Sequence, residues 1–275
     1  MFYLLLFPLG YLVICAILYF QQDSMVFLPA RNSFAQLEKK AATEGFEPWL
    51  SAKGERIGWQ SQEGNPDNVL LVFNGNGGYA LDRAFYREFS RDRAGGWKTF
   101  LLEYPGYGSR TGQPSEKSLT AAALEAVDTL AAVPDRKIWL LGESLGSGTA
   151  SATVAARPEK IAGLLLVTPF NSLVAAAANH YPWLPVSLLL KTRFDSEKNL
   201  AKYPGPVAFL LSEKDTIVPA VLGQKLYDGY QGRKRLWIDP ESDHDVFGLL
   251  DAEWPKIVQW LQDEGTRMDS SERIR

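Results

Sequence analysis

The stretch IWLLGESLG, residues 138–146, decides the predicted fold of this chain. Its apolar run is typical of a buried strand, and the segment that follows has the character of a helix. A serine in the pattern Gly-x-Ser-x-Gly, here Ser144, lies on a sharp turn that holds its hydroxyl clear of the sheet. Short patterns of this kind are common by chance, so the placement between strand and helix carries the argument. The stretch predicts a nucleophile elbow at Ser144.

Strand-like and helix-like segments alternate on both sides of this turn. Continuous apolar runs favour strands that are covered on both faces, as in a parallel sheet. Between them, segments such as 115–132 carry apolar residues at helical spacing. The alternation predicts a doubly wound α/β fold with a mostly parallel sheet. The predicted strands are Val69–Phe73, Thr99–Glu103, Ile138–Gly142, Ala162–Val167, Val207–Leu211 and Lys234–Asp239.

The composition of the 275 residues excludes several classes of protein. Lysine and arginine total 29 and aspartate and glutamate total 32, so the net charge is −3. This balance argues against non-specific nucleic-acid binding, which needs many cations. A hydrophobic content of 46% excludes a largely disordered chain. The single cysteine, Cys15, excludes an intramolecular disulfide and a zinc cluster of thiolates. We expect neither a metal nor an organic cofactor.

The N-terminal segment Phe2–Phe20 is apolar and carries no charge. As a helix it would be about 28 Å long, close to the thickness of a bilayer's hydrocarbon core. A cleaved signal peptide is disfavoured, because no basic residue precedes Arg31 and the run lacks a small-residue cleavage site. We expect a single-pass membrane anchor over residues 1–22. Arg31, Lys39 and Lys40 favour a cytoplasmic position for the domain that follows.

The rest of the chain divides into a large domain and a short tail. The α/β pattern extends over residues 23–264 and is interrupted at about 171–199, where we expect a short lid insertion. The polar and charged residues 265–275 predict a disordered tail. Within the insertion, WLPVSLLL, residues 183–190, is apolar enough to line an acyl groove or to contact a bilayer; simple core packing is the alternative.

The glycine-rich segment GNGGYA, residues 75–80, allows two interpretations. As Gly-x-Gly-x-x-Ala it resembles a dinucleotide fingerprint, and Glu103 would then bind a ribose. Alternatively, a backbone N–H of this loop pairs with the N–H after the nucleophile to bind an oxyanion. We favour the second interpretation, because the first leaves Ser144 and the acid and histidine downstream of it unexplained.

A serine nucleophile needs a base and an acid that orients the base, and in this fold the chain order is serine, acid, histidine. The chain has two histidines, and only His244 lies downstream of the last predicted strand. His180 precedes the last two strands, and we expect it to be structural or part of a pocket wall. Asp215 is the favoured acid because it follows a strand that ends at the same sheet edge as the serine. Glu213 and Asp239 compete with it.

These motifs occur in an order that resembles a known family. The residues that carry the resemblance are Asn74–Gly78, Glu103–Gly108, Pro114–Glu116, Gly142–Gly146, Phe194–Ser196, Asp215–Pro219 and His244. The chain resembles, over roughly residues 1–262, the membrane-anchored α/β-hydrolase family that includes protein depalmitoylases and related lipid hydrolases. The resemblance therefore implies the α/β-hydrolase fold.

The resemblance also implies roles for individual residues. Ser144 would be the nucleophile, Asp215 the acid and His244 the base. The backbone of Asn76 and Leu145 would form the oxyanion hole. Relatives usually carry a histidine where this chain has Asn74, so the support of that loop is expected to differ.

Residues and resemblance together predict a membrane-anchored serine hydrolase that cleaves carboxylic ester or thioester bonds through an acyl-enzyme. The expected partners are an acyl substrate, drawn from lipid or lipidated protein, and the membrane. Three alternatives stay open: a nicotinamide-dependent oxidoreductase, a catalytically silent membrane-anchored interaction module, and a serine peptidase on the same fold.

Overall fold

A computed structural model describes residues 2–91 and 96–272 of the chain. Its strands are β1 (Leu28–Pro29), β2 (Phe46–Leu50), β3 (Arg56–Ser61), β4 (Asn65–Phe73), β5 (Gly77–Gly78), β6 (Trp97–Leu102), β7 (Lys137–Glu143), β8 (Ile161–Val167), β9 (Val207–Ser212) and β10 (Lys234–Asp239). In the described residues one sheet has the order β10-β9-β8-β7-β4-β6-β3-β2. Neighbours from β10 to β6 are parallel, whereas β3 and β2 add antiparallel pairs. The predicted mostly parallel sheet is confirmed.

Each predicted strand overlaps an observed one, but the sequence pattern missed β2 and β3. Both lie at the antiparallel end of the sheet, where strands need not be apolar on both faces. Pro48 occurs within β2, which the sheet tolerates because β2 is its edge strand. Gly58 interrupts β3, and a Cβ at that position would lie 2.1 Å from the carbonyl oxygen of Leu101. A search for continuous apolar runs therefore passes over both strands.

Helices cover both faces of the sheet. The helices of the described residues are α1 (Phe2–Val26), α2 (Phe34–Thr43), α3 (Tyr86–Arg91), α4 (Glu116–Leu130), α5 (Leu145–Ala156), α6 (Leu173–His180), α7 (Val186–Leu189), α8 (Ser196–Leu200), α9 (Ala220–Gly229) and α10 (Phe247–Glu272). One core contains Leu71 of β4 with side chains of α4, α5, α8 and α9. The other contains Leu70 with side chains of α2, α3 and α10. Successive strand residues thus supply opposite cores.

The two ends of the chain depart from the predicted boundaries. Helix α1 continues to Val26, beyond the predicted anchor, and its segment Pro8–Val26 is long and apolar enough to cross a membrane. Helix α10 passes through Gly265, where a disordered tail was predicted, and continues to Glu272. Gly265 is buried, and a Cβ there would lie 2.7 Å from the ring of Trp139, so the helix passes close to that ring at the start of the predicted tail. Met1 and residues 273–275 lie outside the described residues.

The carboxyl group of Glu103 is enclosed directly after β6. The residue has no exposed surface, and its Oε1 accepts a hydrogen bond of 2.9 Å from the N–H of Ala80. Its Oε2 lies 3.4 Å from the indole nitrogen of Trp59. Burial raises the pKa of Glu103 from 4.5 to about 7, against the opposing effect of these contacts. Glu103 is therefore a buried structural group.

This buried carboxyl should make the stability of the fold depend on pH. Between pH 4.5 and 7 the unfolded chain loses the Glu103 proton while the folded chain keeps it, so the free energy of unfolding falls as pH rises. The expected loss is about 3 kcal/mol between pH 4.5 and 8. Glu103→Gln should remove that part of the slope in denaturant unfolding of the full chain. Exposed Glu159 supplies the control, Glu159→Gln; equal slopes in wild type and Glu103→Gln would contradict the assignment.

Candidate active site

Ser144 lies on a strained turn between β7 and α5. Its φ of 51° and ψ of −116° are rare for a residue with a Cβ. The N–H of Ser144 donates a hydrogen bond of 2.9 Å to the carbonyl of Val167 on the neighbouring strand. A Cβ at position 146 would lie 2.1 Å from the carbonyl oxygen of Phe73, and one at Gly142 would lie 2.5 Å from that of Gly146. Glycine is therefore required at both positions for the turn to close.

The loops after β9 and β10 bring Asp215 and His244 together. The Nδ1–H of His244 donates a hydrogen bond of 2.7 Å to Oδ2 of Asp215. The other carboxylate oxygen, Oδ1, accepts from the N–H groups of Ile217 at 2.9 Å and Val218 at 2.6 Å. The Asp215 side chain is 1% exposed and that of His244 is 18% exposed. The carboxylate is thus fixed by the backbone and in turn fixes the imidazole.

The pKa of His244 is raised above its ordinary value of 6.5. Burial alone would lower it, but the hydrogen bond and the negative charge of Asp215 outweigh burial. Glu143 and Asp245 add smaller contributions in the same direction. The ring is therefore poised to accept a proton.

The competing acids do not reach the imidazole. Asp239 accepts hydrogen bonds from the hydroxyl of Ser242 at 2.7 Å and from the N–H groups of Glu241 and Ser242, which shapes the loop before His244. Asp243 accepts a hydrogen bond of 2.8 Å from the N–H of Thr216, which ties this loop to the loop of Asp215. Glu213 is exposed. These carboxylates position the two loops or face solvent.

Ser144 and His244 line the same polar cavity of about 370 Å³. The hydroxyl of Ser144 makes no hydrogen bond to His244 within residues 2–91 and 96–272. Such bonds are often long in unliganded enzymes and tighten when substrate binds. The other residues that line the cavity are Gly75, Asn76, Gly77, Gly78, Asp82, Arg83, Glu143 and Asp245.

A second, apolar cavity of about 240 Å³ meets the first at Ser144 and Asn76. Its walls come from the end of α1, from α6 and α7 with the chain between them, and from the loop after Asp215. His180 is one of the wall residues, and its Nε2 lies 2.7 Å from the carbonyl oxygen of Ile217. The site therefore has a polar side and an apolar side with the serine between them.

The loop of residues 74–78 is held firmly beside Ser144. Its segment β5 pairs with β1, and the hydroxyl of Tyr107 donates a hydrogen bond of 2.7 Å to the carbonyl of Asn76. The N–H groups of Asn76 and Leu145 donate to no acceptor in the described part of the chain. Asn74 is fully buried, and its Nδ2 donates to the carbonyl of Gly75 at 2.9 Å, while its Oδ1 has no hydrogen-bond partner among the residues that the structure describes. The asparagine thus supports this loop from beneath.

The loop does not have the geometry of a dinucleotide site. A pyrophosphate binds at the N-terminus of a long helix, whereas the short 3₁₀ turn Ala80–Arg83 directly follows these glycines. Glu103, the expected ribose ligand, is enclosed in the core. The structure therefore does not support the oxidoreductase interpretation of this loop.

One feature of the site was missed by the sequence analysis. Arg83 forms a two-pronged ion pair with Glu143, the residue before the serine, and its Nε donates at 2.7 Å. Burial opposes the charge of Arg83, but Glu143 outweighs it, so the pKa of Arg83 is raised. Position 143 lies inside the pattern Gly-x-Ser-x-Gly, which leaves that residue unspecified. No local pattern marks Arg83, because the pair depends on tertiary contact.

Comparisons with known proteins agree with this architecture. Residues 68–191 match the family model described as alpha/beta hydrolase fold. An uncharacterised protein of Mycobacterium tuberculosis is 36% identical over 206 residues, which cover 72% of each chain. Protein bem46 of Schizosaccharomyces pombe is 30% identical over 77% of this chain and 72% of its own. Lysophosphatidylserine lipase ABHD12 of Danio rerio is 27% identical over 66% of this chain, and the match spans 52% of that protein.

Solved structures show the same fold at lower identity. The Pyrococcus furiosus esterase PF2001 superposes with a TM-score of 0.64 at 14% identity, over 86% of this chain and 97% of its own. A monoacylglycerol lipase from Paleococcus ferrophilus gives a TM-score of 0.57 at 20% identity, over 74% of this chain and 98% of its own. The sheet, the family model and the relatives coincide, and the chain belongs to the α/β-hydrolase family.

Proposed function

We propose that the protein is a membrane-anchored serine hydrolase that cleaves the carboxylic ester or thioester of a lipid or lipidated protein. The observation that carries the proposal is the 2.7 Å hydrogen bond between His244 and Asp215 at the wall of the cavity that Ser144 also lines. Family membership and the lipase and esterase names of relatives support hydrolysis of an ester.

The proposed reaction is a double displacement. Nε2 of His244 takes the proton of Ser144 as Oγ attacks the carbonyl carbon, and Asp215 stabilises the imidazolium that forms. The N–H groups of Asn76 and Leu145 bind the oxyanion; one such donor contributes about 3 kcal/mol to lowering the barrier. The imidazolium then protonates the leaving group, and the same imidazole activates the water that hydrolyses the acyl-enzyme.

The two cavities suggest which part of the substrate lies on each side of the serine. The apolar cavity suits an acyl chain, because burial of each methylene is favourable by about 0.8 kcal/mol. The polar cavity suits the leaving group, since it is lined by glycine backbone and charged side chains. We propose helix α1 as the anchor of the domain and residues 171–199 as its lid.

Labelling with a fluorophosphonate tests the nucleophile. The reagent should label the wild-type chain in detergent and should not label Ser144→Ala. His244→Ala should be labelled about 100-fold or more slowly, because the base is missing. Ser151 lies on α5, the helix that follows Ser144, and its hydroxyl donates to the carbonyl of Ser147. It lines neither cavity, so Ser151→Ala is the control. If a folded Ser144→Ala chain were labelled as fast as the wild type, the assignment of Ser144 as nucleophile would be refuted.

The activity should be lost as pH falls through the raised pKa of His244, since only the neutral ring accepts a proton. The acidic midpoint of kcat/KM for a soluble ester should therefore lie above pH 6.5. In Asp215→Asn the pKa falls, so the midpoint should move to lower pH while the rate drops by about 10³–10⁴-fold. Asp251→Asn, at an exposed position of α10, should change neither quantity. An unshifted midpoint in Asp215→Asn would argue against the pairing.

The charges of the polar cavity predict selection of the leaving group. Its wall holds one guanidinium and three carboxylates, those of Arg83, Asp82, Glu143 and Asp245. An anionic leaving group should react about tenfold more slowly than a neutral or cationic one on the same acyl chain, and salt should reduce the difference. Lysophosphatidylserine, the lipid in the name of the relative ABHD12, has an anionic headgroup, so this protein should hydrolyse it slowly.

The matched variant for this selection is Asp245→Asn, assayed above the pKa of His244 with acyl choline and acyl glycolate esters. In Asp245→Asn the kcat/KM values of the two esters should differ less than they do in the wild type. The selection would be disproved by equal rates for both esters at low salt.

A further inference from the structure

Three large apolar side chains of the insertion, on α7 and on the chain between α6 and α7, project into solvent. Tyr181, Trp183 and Leu188 are 40%, 54% and 82% exposed. Single exposed apolar residues are ordinary, but a cluster on one short segment marks an interaction surface. We call these three residues the insertion face.

The insertion is fastened along helix α1. Near the start of the contact, the hydroxyl of Tyr11 donates a hydrogen bond of 2.9 Å to the carbonyl of Trp183, and the two rings meet edge to face. Further along, Gln22 donates to the carbonyl of Leu189 at 3.1 Å and accepts from the N–H of Lys191 at 2.6 Å. Two hydrogen-bonded points, about 16 Å apart along the helix, therefore fix the insertion against α1.

These contacts set the depth of the insertion relative to a bilayer that α1 crosses. The ammonium of Lys191 lies 4.1 Å from the ring centroid of Tyr19, and a lysine with a tyrosine is typical of the membrane–water interface. Tyr11 lies about 12 Å further towards the N-terminus of the same helix. Trp183 lies beside Tyr11 and hence below the level of the lipid headgroups.

Several backbone groups of the insertion need no hydrogen-bond partner from their surroundings. A carbonyl in hydrocarbon needs an internal donor, and the carbonyl of Trp183 receives the Tyr11 hydroxyl. Pro182 and Pro185, on either side of Trp183, carry no N–H that would need an acceptor. The N–H groups of Leu184 and Leu188 donate within the segment.

The apolar cavity lies between these same elements. Leu18, Met25 and Val26 of α1 form one wall, and Leu184 and Leu189 of the insertion form another. Ser144 also lines this cavity, so the space between helix and insertion extends to the serine.

We propose that the insertion face is immersed in the same bilayer leaflet as the end of α1, and that the acyl chain enters the cavity sideways from that leaflet. The proposal rests on the proposed anchor and esterase function. Its partner is the hydrocarbon of a lipid leaflet, because the face continues the apolar surface of α1 and Lys191 lies at its headgroup side. The substrate is thus an acyl chain already resident in the membrane.

Depth-dependent quenching tests the location of the face. The single cysteine allows a Cys15→Ser background, in which Trp183→Cys carries an environment-sensitive fluorophore. In phosphatidylcholine vesicles, doxyl groups on lipid chains should quench this probe and shift its emission to the blue. Val133→Cys, at a site 40% exposed on the loop after α4, should give neither effect. A water-exposed Trp183 probe would overturn the proposal, as would cross-linking of two copies through that position.

A kinetic variant separates this proposal from the esterase assignment. Trp183→Asp places a charge on the face, but Trp183 lines neither cavity. We expect hydrolysis of a long-chain ester in vesicles to fall about tenfold, with fluorophosphonate labelling and hydrolysis of a soluble short-chain ester unchanged. Unchanged vesicle activity would overturn leaflet entry alone. Absence of hydrolysis and labelling in the wild type would instead overturn the proposed function.

Discussion

The site depends on the close approach of three backbone segments at the end of β7. Ser144 keeps a positive φ only because α5 packs against the end of β4, where the carbonyl of Phe73 leaves no room for a Cβ at position 146. This contact places the serine next to the loop of residues 74–78, where a Cβ added at Gly75 would lie 3.6 Å from the Ser144 Cβ. The strain at one residue is maintained by packing over the whole parallel sheet. Chemistry at the serine follows from that packing.

The charged side chains around this turn are held in fixed positions by hydrogen bonds and ion pairs. Asp215 is held by two backbone N–H groups, so its orientation does not depend on the imidazole. On the opposite side, Arg83 balances Glu143 directly beside the serine. Without that guanidinium, the Glu143 carboxylate would be largely buried and uncompensated, which costs several kcal/mol. The pair therefore allows an acidic residue to stand next to a serine whose proposed reaction develops negative charge.

The sequence predicted those features that local chemistry specifies. The strand, the turn and the helix around Ser144 could be predicted because glycine spacing and apolar runs report on short-range packing. Asp215 and His244 were chosen from chain order and from the scarcity of histidine, and the two side chains do lie in contact; their roles as acid and base belong to the proposed function. Strands β2 and β3 escaped because edge strands need no continuous apolar run. The Arg83–Glu143 pair and the contribution of α1 to a cavity wall arise only from tertiary contact. Helix α10 passes Trp139 closely at Gly265, a tertiary contact that composition does not reveal.

Helix α1 supplies one wall of the apolar cavity, and this has a thermodynamic consequence. A ligand that fills the cavity touches both the helix and the domain, so its binding free energy contributes to holding the two together. Conversely, in a chain that lacks the residues before Val26, the apolar cavity would be open to solvent on one side. Occupancy and docking of the helix are thus reciprocally linked: each raises the equilibrium constant of the other. Proteolytic removal of α1 would accordingly discard part of the binding surface.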